Sequence, residues 1–298
     1  MIPPAVGDSM QNQAAQRKIG DQELQIADSE FERFRDFFYR KTGIYFEDSK
    51  RYFVDKRIIQ RIQETDHHSF RSYFTYMRFQ ASGEELQVLI NLMTVNETYF
   101  FRESYQFDCL VGPVLDEVCK NKRAGEPIRI WSMPSSTGEE PYSIALYLLE
   151  RWAGINDVDI ELMASDIDSR VLRCCRDAIY SPRSVKNLPA DILKKYFLLL
   201  PNGDYQLCRD LRDSVEFSQV NLVDSNDTRA FRNIDVIFCR NLLIYFDDAS
   251  RRMAAEVFYD ALNPGGFIFL GHSESMSRIT SLFNVRKFND AITYQKPF

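Results

Sequence analysis

The segment 128–145, IRIWSMPSSTGEEPYSIA, restricts the possible folds of this chain more than any other stretch. Ile128, Ile130 and Met133 give an apolar strand, and Ser135, Ser136, Thr137 and Gly138 form a tight turn. A helix starts at Glu139-Glu140-Pro141, where proline is tolerated because first-turn N–H groups lack intrahelical partners. Strand, small-residue turn, helix is the unit by which an α/β sheet presents a nucleotide-like ligand at the carboxyl end of its first strand. The turn has one glycine in place of G-x-G-x-x-G, and two carboxylates stand where a pyrophosphate would sit. A diphosphate is repelled there; a cationic ligand is not. Gly138 marks the place where backbone must come close.

The pattern after Pro127 extends this unit. Apolar runs at 128–133, 160–164, 234–239 and 266–270 alternate with amphipathic helices, which predicts a mostly parallel sheet covered on both faces. Residues 284–296 read as two strands about a turn at Asn289-Asp290, adding an antiparallel strand. An insert at about 198–217 turns at Pro201-Asn202-Gly203-Asp204.

Upstream the texture is helical. Residues 1–28 are polar and Gln-rich and are expected to form a flexible tail. Ser29 and Glu32 read as a capping box opening a helix with Phe31, Phe34, Phe37 and Phe38 on one side, ending near Gly43. A second helix covers about 49–64, with Phe53, Ile58, Ile59 and Ile62 inward, and further helices lie near 69–80 and 83–92. The expected organisation is an all-α unit over 29–103, a linker helix over 104–126 and an α/β domain over 127–298.

Charge and cysteine usage exclude several functions. The net charge of −6 is dispersed, which argues against a nucleic-acid binder working by bulk charge. No run approaches the roughly 18 apolar residues of a membrane span, and the N-terminus lacks a signal pattern. Six cysteines without C-x-x-C spacing read as buried free thiols in a reducing compartment. His67, His68 and His272 make no metal-ligand pair, and no G-x-S-x-G elbow appears.

The candidate chemistry lies at predicted strand ends. Asp166, in S-D-I-D at 165–168, stands where α/β nucleotide binders receive ribose hydroxyls, although Asp166 or Asp168 could equally cap a helix. Asn221 and Asn241 place amides at two further strand ends, suited to an adenine edge or an amino-acid head group, or to making turns. Asn96 to Arg102 sets polar groups beside Phe100 and Phe101, which reads as Arg102 held against a buried surface or as a packing linker. Lys50, Arg51, Lys56, Arg57 and Arg61 crowd the second helix; Arg57 and Arg61 lie one turn apart and suit an acidic partner helix, or simply a solvated face.

Six ordered motifs together resemble the S-adenosylmethionine-dependent chemotaxis receptor glutamate O-methyltransferases, the CheR type. They are N-x-T-x-F-F-R-E at 96–103, S-T-G-E-E-P-Y-S at 136–143, S-D-I-D at 165–168, V-N-L at 220–222, F-C-R-N-x-x-I-Y-F at 238–246 and G-H-S-E-S at 271–275. The resemblance implies a class I methyltransferase domain, Rossmann-like, with a mostly parallel seven-stranded sheet, one antiparallel strand and a small β-subdomain insert, joined to a small all-α N-terminal domain. It implies cofactor contacts at Asn96, Thr98, Arg102, Glu140, Asp166, Asn221, Leu222, Arg240 and Asn241, with S-adenosylhomocysteine as product and no metal. Tyr245 looks like the residue that helps position the substrate carboxyl, with Arg102 holding the same group. The helix bearing Arg57 and Arg61 is similar to one that docks on acidic receptor helices. A monomeric cytoplasmic enzyme that neither binds nucleic acid nor inserts in a membrane is expected.

Two positions depart from the family pattern. Relatives often have A-G-C or A-A-A where this chain has Met133-Pro134-Ser135, and Pro134 removes a backbone donor. The insert's turn at 200–205 is short with a single glycine, resembling members that do not tether to a receptor's C-terminal pentapeptide. Competing readings are a non-catalytic binder of the cofactor or its product, and a methyltransferase for another protein or a small molecule. An amine-directed nucleic-acid methyltransferase usually carries N/D-P-P-Y/F, where this chain has Asn241-Leu242-Leu243-Ile244.

Overall fold

The computed structural model describes residues 24–298. Most of the expected tail, 1–23, therefore lies outside the described residues. Residues 24–27 are not free: Ile26 is buried, and Arg51 donates to its carbonyl at 2.6 Å.

Four helices form the N-terminal unit: α1 (Asp28–Thr42), α2 (Arg51–Glu64), α3 (Phe70–Phe79) and α4 (Glu84–Met93). The capping box is displaced from the one expected. The N-cap is Ala27, and the Glu30 carboxylate accepts its N–H at 2.9 Å, so the acid closes the turn while the cap side chain contributes nothing. Gly43 ends α1 at φ +72°, and a Cβ there would stand 2.6 Å from Val223 Cγ1. Glycine thus lets the helical unit approach the sheet domain closely. On α2 the fully buried positions are Val54, Ile58 and Ile62; Phe53 and Ile59 are only half-buried.

The connection to the sheet is not one helix. It is α5 (Ser104–Cys109), a π-helical turn with non-helical backbone at Gly112, and α6 (Leu115–Asn121). Pro113 supplies no N–H to the i−4 carbonyl, which interrupts the ladder there.

Then follow β1 (Ile128–Ser132), α7 (Glu139–Arg151), β2 (Ile160–Asp166), α8 (Ser169–Asp177), β3 (Ile179–Tyr180), α9 (Pro182–Val185), α10 (Ala190–Tyr196), β4 (Phe197–Leu199), β5 (Tyr205–Leu207) and α11 (Arg209–Asp213). The chain finishes with β6 (Val215–Gln219), α12 (Ser225–Thr228), β7 (Ile234–Cys239), α13 (Asp248–Ala261), β8 (Leu262–Leu270), β9 (Asn284–Lys287) and β10 (Ile292–Gln295). The large sheet has order β6-β2-β1-β7-β8-β10-β9, with β10 antiparallel to both neighbours. The small sheet, β3-β5-β4, spans more than the insert expected at 198–217: it takes its first strand from Ile179, and β6 pairs with β2 in the large sheet.

Side-chain alternation gives the sheet two faces. Trp131, Ile237 and Ile268 enter one apolar cluster, continuous with the helical unit through Phe34, Phe38 and Ile58. Ile130, Val236 and Phe267 enter the other, beneath α5 to α7. Of the cysteines expected to be buried, Cys109, Cys175 and Cys239 are; Cys174 is exposed, and all six are free thiols.

Candidate functional site

Strand order reverses between β1 and β7, and in such sheets ligands bind outside the carboxyl ends at the switch point. The loop after β1 is clamped to both neighbours: Met133 N–H donates to the Phe238 carbonyl (2.8 Å) and Ser135 N–H to the Ser165 carbonyl (2.8 Å). Pro134, joined to Met133 by a cis peptide, sits between these anchors, so its missing donor is not one the clamp uses. Gly138 has φ +100°, and an added Cβ would lie 2.9 Å from the Tyr180 hydroxyl and 3.1 Å from Tyr142. The close approach at this glycine is to the protein's own β3, not to ligand space.

The two glutamates of the turn separate. Glu139 points away from the sheet ends and is buried, accepting from Ser184 Oγ and Thr137 Oγ1, each at 2.6 Å. The expectation that both carboxylates face the ligand is corrected: only Glu140 does. Glu140 accepts from Ser132 Oγ (2.8 Å) and pairs with Arg240 (3.3 Å). Burial raises its carboxyl above the ordinary range, and the Arg240 charge opposes that shift. Arg240 follows β7, is almost wholly buried, and also pairs with Glu103 (3.3 Å) and donates to the Arg102 carbonyl (2.7 Å). Its Nε is buried without a partner in the described structure.

The two acids of S-D-I-D divide their labour. Asp168 caps α8, accepting from the Arg170 and Val171 N–H groups, and its other oxygen takes Thr94 Oγ1 (2.8 Å) and Asn96 Nδ2 (3.0 Å). Asp166 accepts one backbone N–H on each oxygen, from Ser136 (2.8 Å) and Asp168 (2.9 Å). Each oxygen keeps a second lone pair, enough for two hydroxyl donors such as a ribose diol. Burial pushes the Asp166 carboxyl up to about 7, against the pull of those backbone donors.

Two adjoining cavities open at this point. The larger, about 630 Å³, lies between the helical unit and the strand ends and is lined by Asp166, Asn221 and Leu222 among others. The smaller, about 340 Å³, is lined by Thr98, Arg102, Glu140 and Arg240. Asn96, Asn241 and Tyr245 line both. All nine residues expected to touch cofactor therefore face one connected region. Within it Asn221 also donates to the Lys41 carbonyl (2.6 Å), tying the strand end to α1. Arg102 donates to the Glu97 carbonyl (3.0 Å) and makes no ion pair among the described residues. Tyr245 is partly exposed; burial raises its phenol, and the Arg102 charge works against this.

One residue at the site escaped the sequence reading. Glu274, inside G-H-S-E-S, is a mostly buried carboxylate accepting N–H groups from Asn241, Leu243 and Gly271, each at 2.8 Å. It braces the turn that carries Asn241 at φ +59° and leads to Tyr245. Its motif is among the six that carry the family resemblance, which is the signal that marks it, but no role is read there for the acid within it.

The basic helix differs from expectation as well. Arg61 is gripped by the buried Glu85 carboxylate through Nε (2.8 Å) and Nη2 (2.7 Å), and it also pairs with Glu64. Arg57 stacks on Phe53, 3.4 Å from the ring centroid, and donates to the Leu92 and Phe53 carbonyls. Neither guanidinium is a free docking cation. Lys50 and Lys56 of the same stretch are exposed.

Comparison with known proteins bears on most of the chain, from residue 29 to 292. The family described as "CheR methyltransferase, SAM binding domain" matches residues 96–292, and "CheR methyltransferase, all-alpha domain" matches 29–94. A protein from Vibrio cholerae named "Chemotaxis protein methyltransferase 2" is 61% identical over 92% of this chain and 95% of its own length. One of the same name from Pseudomonas aeruginosa is 38% identical over 89% of this chain and 92% of its own. "Chemotaxis protein methyltransferase" from Salmonella typhimurium is 36% identical over 89% and 90% respectively.

Proposed function

The chain belongs to the CheR methyltransferase family, and on that premise we propose that it transfers a methyl group from S-adenosylmethionine to glutamate side chains on the cytoplasmic helices of chemoreceptors, forming the methyl esters of sensory adaptation. The observation that carries this reading is the contiguity of two kinds of group. Asp166 and Glu140, acids suited to a diol and a cationic ligand, line the same connected cavities as Arg102 and Tyr245, which suit a carboxylate.

S-adenosylmethionine supplies an electrophilic methyl group on a cationic sulfur. The donor set fits it: Asp166 has spare acceptor capacity for the ribose, and Asn96, Thr98, Asn221, Leu222 and Asn241 line the remaining walls. Glu140 bears negative charge toward the cationic end, and Arg240 keeps that charge in place. The receiving glutamate ionises near pH ~4.3, so at neutral pH it is already the nucleophile and no general base is needed. Arg102 is permanently charged and holds the carboxylate without protonating it, and the Tyr245 hydroxyl adds a neutral donor. What remains is alignment and partial desolvation, effects worth up to ~7–11 kcal/mol.

The partner under this reading is the acidic receptor helix, met by exposed Lys50 and Lys56 of the basic segment; Arg57 and Arg61 shape that surface from within. Tether independence is supported by the β4–β5 hairpin, whose turn closes through Leu200 N–H to Asp204 carbonyl (2.8 Å) with no long loop to offer a peptide. The enzyme acts as a metal-free cytoplasmic monomer without nucleic acid. Among the described residues no helix is long and apolar enough to cross a membrane.

The test is labelled methyl transfer from S-adenosylmethionine to purified receptor cytoplasmic fragments. Base-labile label that disappears on Glu→Gln substitution in the receptor is the expected result. Label on RNA or a metabolite instead, or none, overturns the reading.

A further inference from the structure

Beside Arg102, at the mouth of the smaller cavity, stand two further cations, Arg183 and Lys186, that have no part in the roles above. Tyr99 lines that cavity, with the Arg102 guanidinium 5.8 Å and the Lys186 ammonium 5.3 Å from its ring centroid. The two charges are thus at most about 11 Å apart, two turns of an α-helix. Arg183, three residues before Lys186, pairs with Glu97 at 3.0 Å, and the two side chains are 80% and 74% exposed. A pair so exposed is largely screened by solvent, so an incoming carboxylate can replace Glu97 at little cost. Lys186 is exposed and makes no ion pair among the described residues.

This surface is rigidly mounted. Phe100 N–H donates to the Ser184 carbonyl (3.0 Å), binding the Tyr99 segment to α9. Ser184 Oγ in turn donates to buried Glu139 (2.6 Å), in the same helical turn as Glu140. The rim is therefore fixed to the wall that carries the reacting site. Three cations stand here against one carboxylate, on a chain whose net charge is −6.

Resting on the function proposed above, we infer that Arg183 and Lys186 form a second docking rim, which reads an acidic side chain one or two helical turns from the glutamate being methylated. The target carboxylate enters beside Arg102 and Tyr245, and a neighbouring carboxylate on the same face of the substrate helix meets Lys186 and displaces Glu97 from Arg183. The rim selects which glutamates of an acidic helix are presented, because an isolated glutamate makes only the inner contact.

The experiment uses the full chain, receptor cytoplasmic fragments and the charge-reversed variant R183E/K186E, with Lys186→Gln as a milder companion. For the double variant the KM for receptor is expected to rise about tenfold or more, with kcat changed by less than about threefold and a flatter salt dependence. Its affinity for S-adenosylhomocysteine, measured by calorimetry, is expected to match the parent, which also verifies folding. A receptor fragment with the flanking acid changed to Gln should reproduce the KM rise and show no further loss with the variant. Methyl transfer that proceeds in the parent and is indifferent to both changes, in the enzyme and in the receptor, overturns this inference alone. Failure of the parent to methylate receptor at all overturns the function reading and the rim with it. An equal loss toward every acidic helix, whatever its flanking residues, shows mere charge steering and overturns the selective role.

Discussion

The cofactor cleft has two walls built on different principles. The sheet wall is made of buried charge: Asp166, Glu140 with Arg240, and Glu274 are each held by backbone N–H groups or by an opposite charge at the strand ends. The helical wall is joined across the cleft mostly by single hydrogen bonds: Tyr45 N–H donates to the Tyr245 carbonyl (3.3 Å), Gln87 to the Ile167 carbonyl (2.9 Å) and the Thr94 hydroxyl to the Asp168 carboxylate (2.8 Å). Tyr39 adds a single hydroxyl donated to Asp247 (3.0 Å). Buried charges are costly to leave unpaired, whereas a neutral hydrogen bond is worth only ~0.5–1.5 kcal/mol net. The first wall is therefore intolerant of substitution, and the second is a sum of small, replaceable terms.

Removing Arg240 is the severest way to probe the contrast. Arg240→Ala leaves Glu103 and Glu140 together in a buried space without their common counter-charge, an arrangement that costs ~3–5 kcal/mol in comparable sites. Urea unfolding should show a midpoint lowered accordingly, with the slope unchanged. Loss of under ~1 kcal/mol would place the sheet wall in the same class as the helical one and dissolve the distinction.

Asp166→Asn tests the wall's ligand side. Replacing a charged acceptor of two hydroxyls should weaken S-adenosylhomocysteine binding by about tenfold to a hundredfold, the range for hydrogen bonds to a charged group. The parent should also show a pH signature. In the ligand-free fold the carboxyl is pushed up to about 7, above its unfolded value, so the native state holds the proton longer and its contribution to stability falls as pH rises from about 4 to 7. Hydroxyl donors favour the ionised form. Ligand binding below pH 7 should thus release a proton, and affinity should climb with pH before levelling above 7. Calorimetry at pH 6 in buffers of different ionisation enthalpy detects that proton, and it should vanish in the Asn variant.

Glu274→Gln is expected to be milder, since size is kept and only one of the acceptor positions becomes a donor. A backbone N–H of Asn241, Leu243 or Gly271 then faces an amide N–H, with a cost of ~1–3 kcal/mol in the brace of the Tyr245 turn. The turn's substrate side should suffer most: kcat/KM falls about tenfold, while affinity for S-adenosylhomocysteine drops less. The reverse pattern would mean that Glu274 serves the cofactor wall directly.

The same contrast explains what could be read in advance. The sheet wall was legible because its residues sit in short motifs at predictable strand ends, where backbone geometry fixes where a side chain points. Asp166, Asn221 and Arg240 could be named from that pattern alone or with the family resemblance. The helical wall depends on which helix faces meet which loops, and a charge pattern does not reveal the partner of each charge. Arg57 and Arg61 read as cations for an acidic partner helix, or as a solvated face, because Glu85, the acid that holds Arg61, lies 24 residues away on another helix. Glu139 and Glu140 are adjacent yet part company because the first turn of α7 points successive side chains about 100° apart. Glu274 stood in a quoted motif, yet its role stayed hidden because its partners are backbone N–H groups, to which sequence identity is blind.

Tyr39→Phe is the gentlest probe and the most discriminating for the helical wall. The ring packs edge-on against Tyr45, with centroids 6.0 Å apart, and phenylalanine preserves that contact while deleting the hydroxyl. Asp247 keeps the Ser250 N–H it accepts at the start of α13, while the buried Ser250 hydroxyl, which donates to the Tyr39 oxygen at 3.3 Å, loses that acceptor. The partner is a carboxylate, but both side chains are only half-buried and solvent screens the bond, so the expected cost is ~1–1.5 kcal/mol in unfolding free energy, with S-adenosylhomocysteine affinity within about threefold of the parent. If affinity instead fell tenfold or more, the hydroxyl would be coupled to the cofactor cavity through Asp247, which lines it, and the helical wall would be part of the binding apparatus rather than its cover. A double variant with Asp166→Asn decides between these: additive losses mean two independent walls, and a shortfall from additivity means one coupled unit.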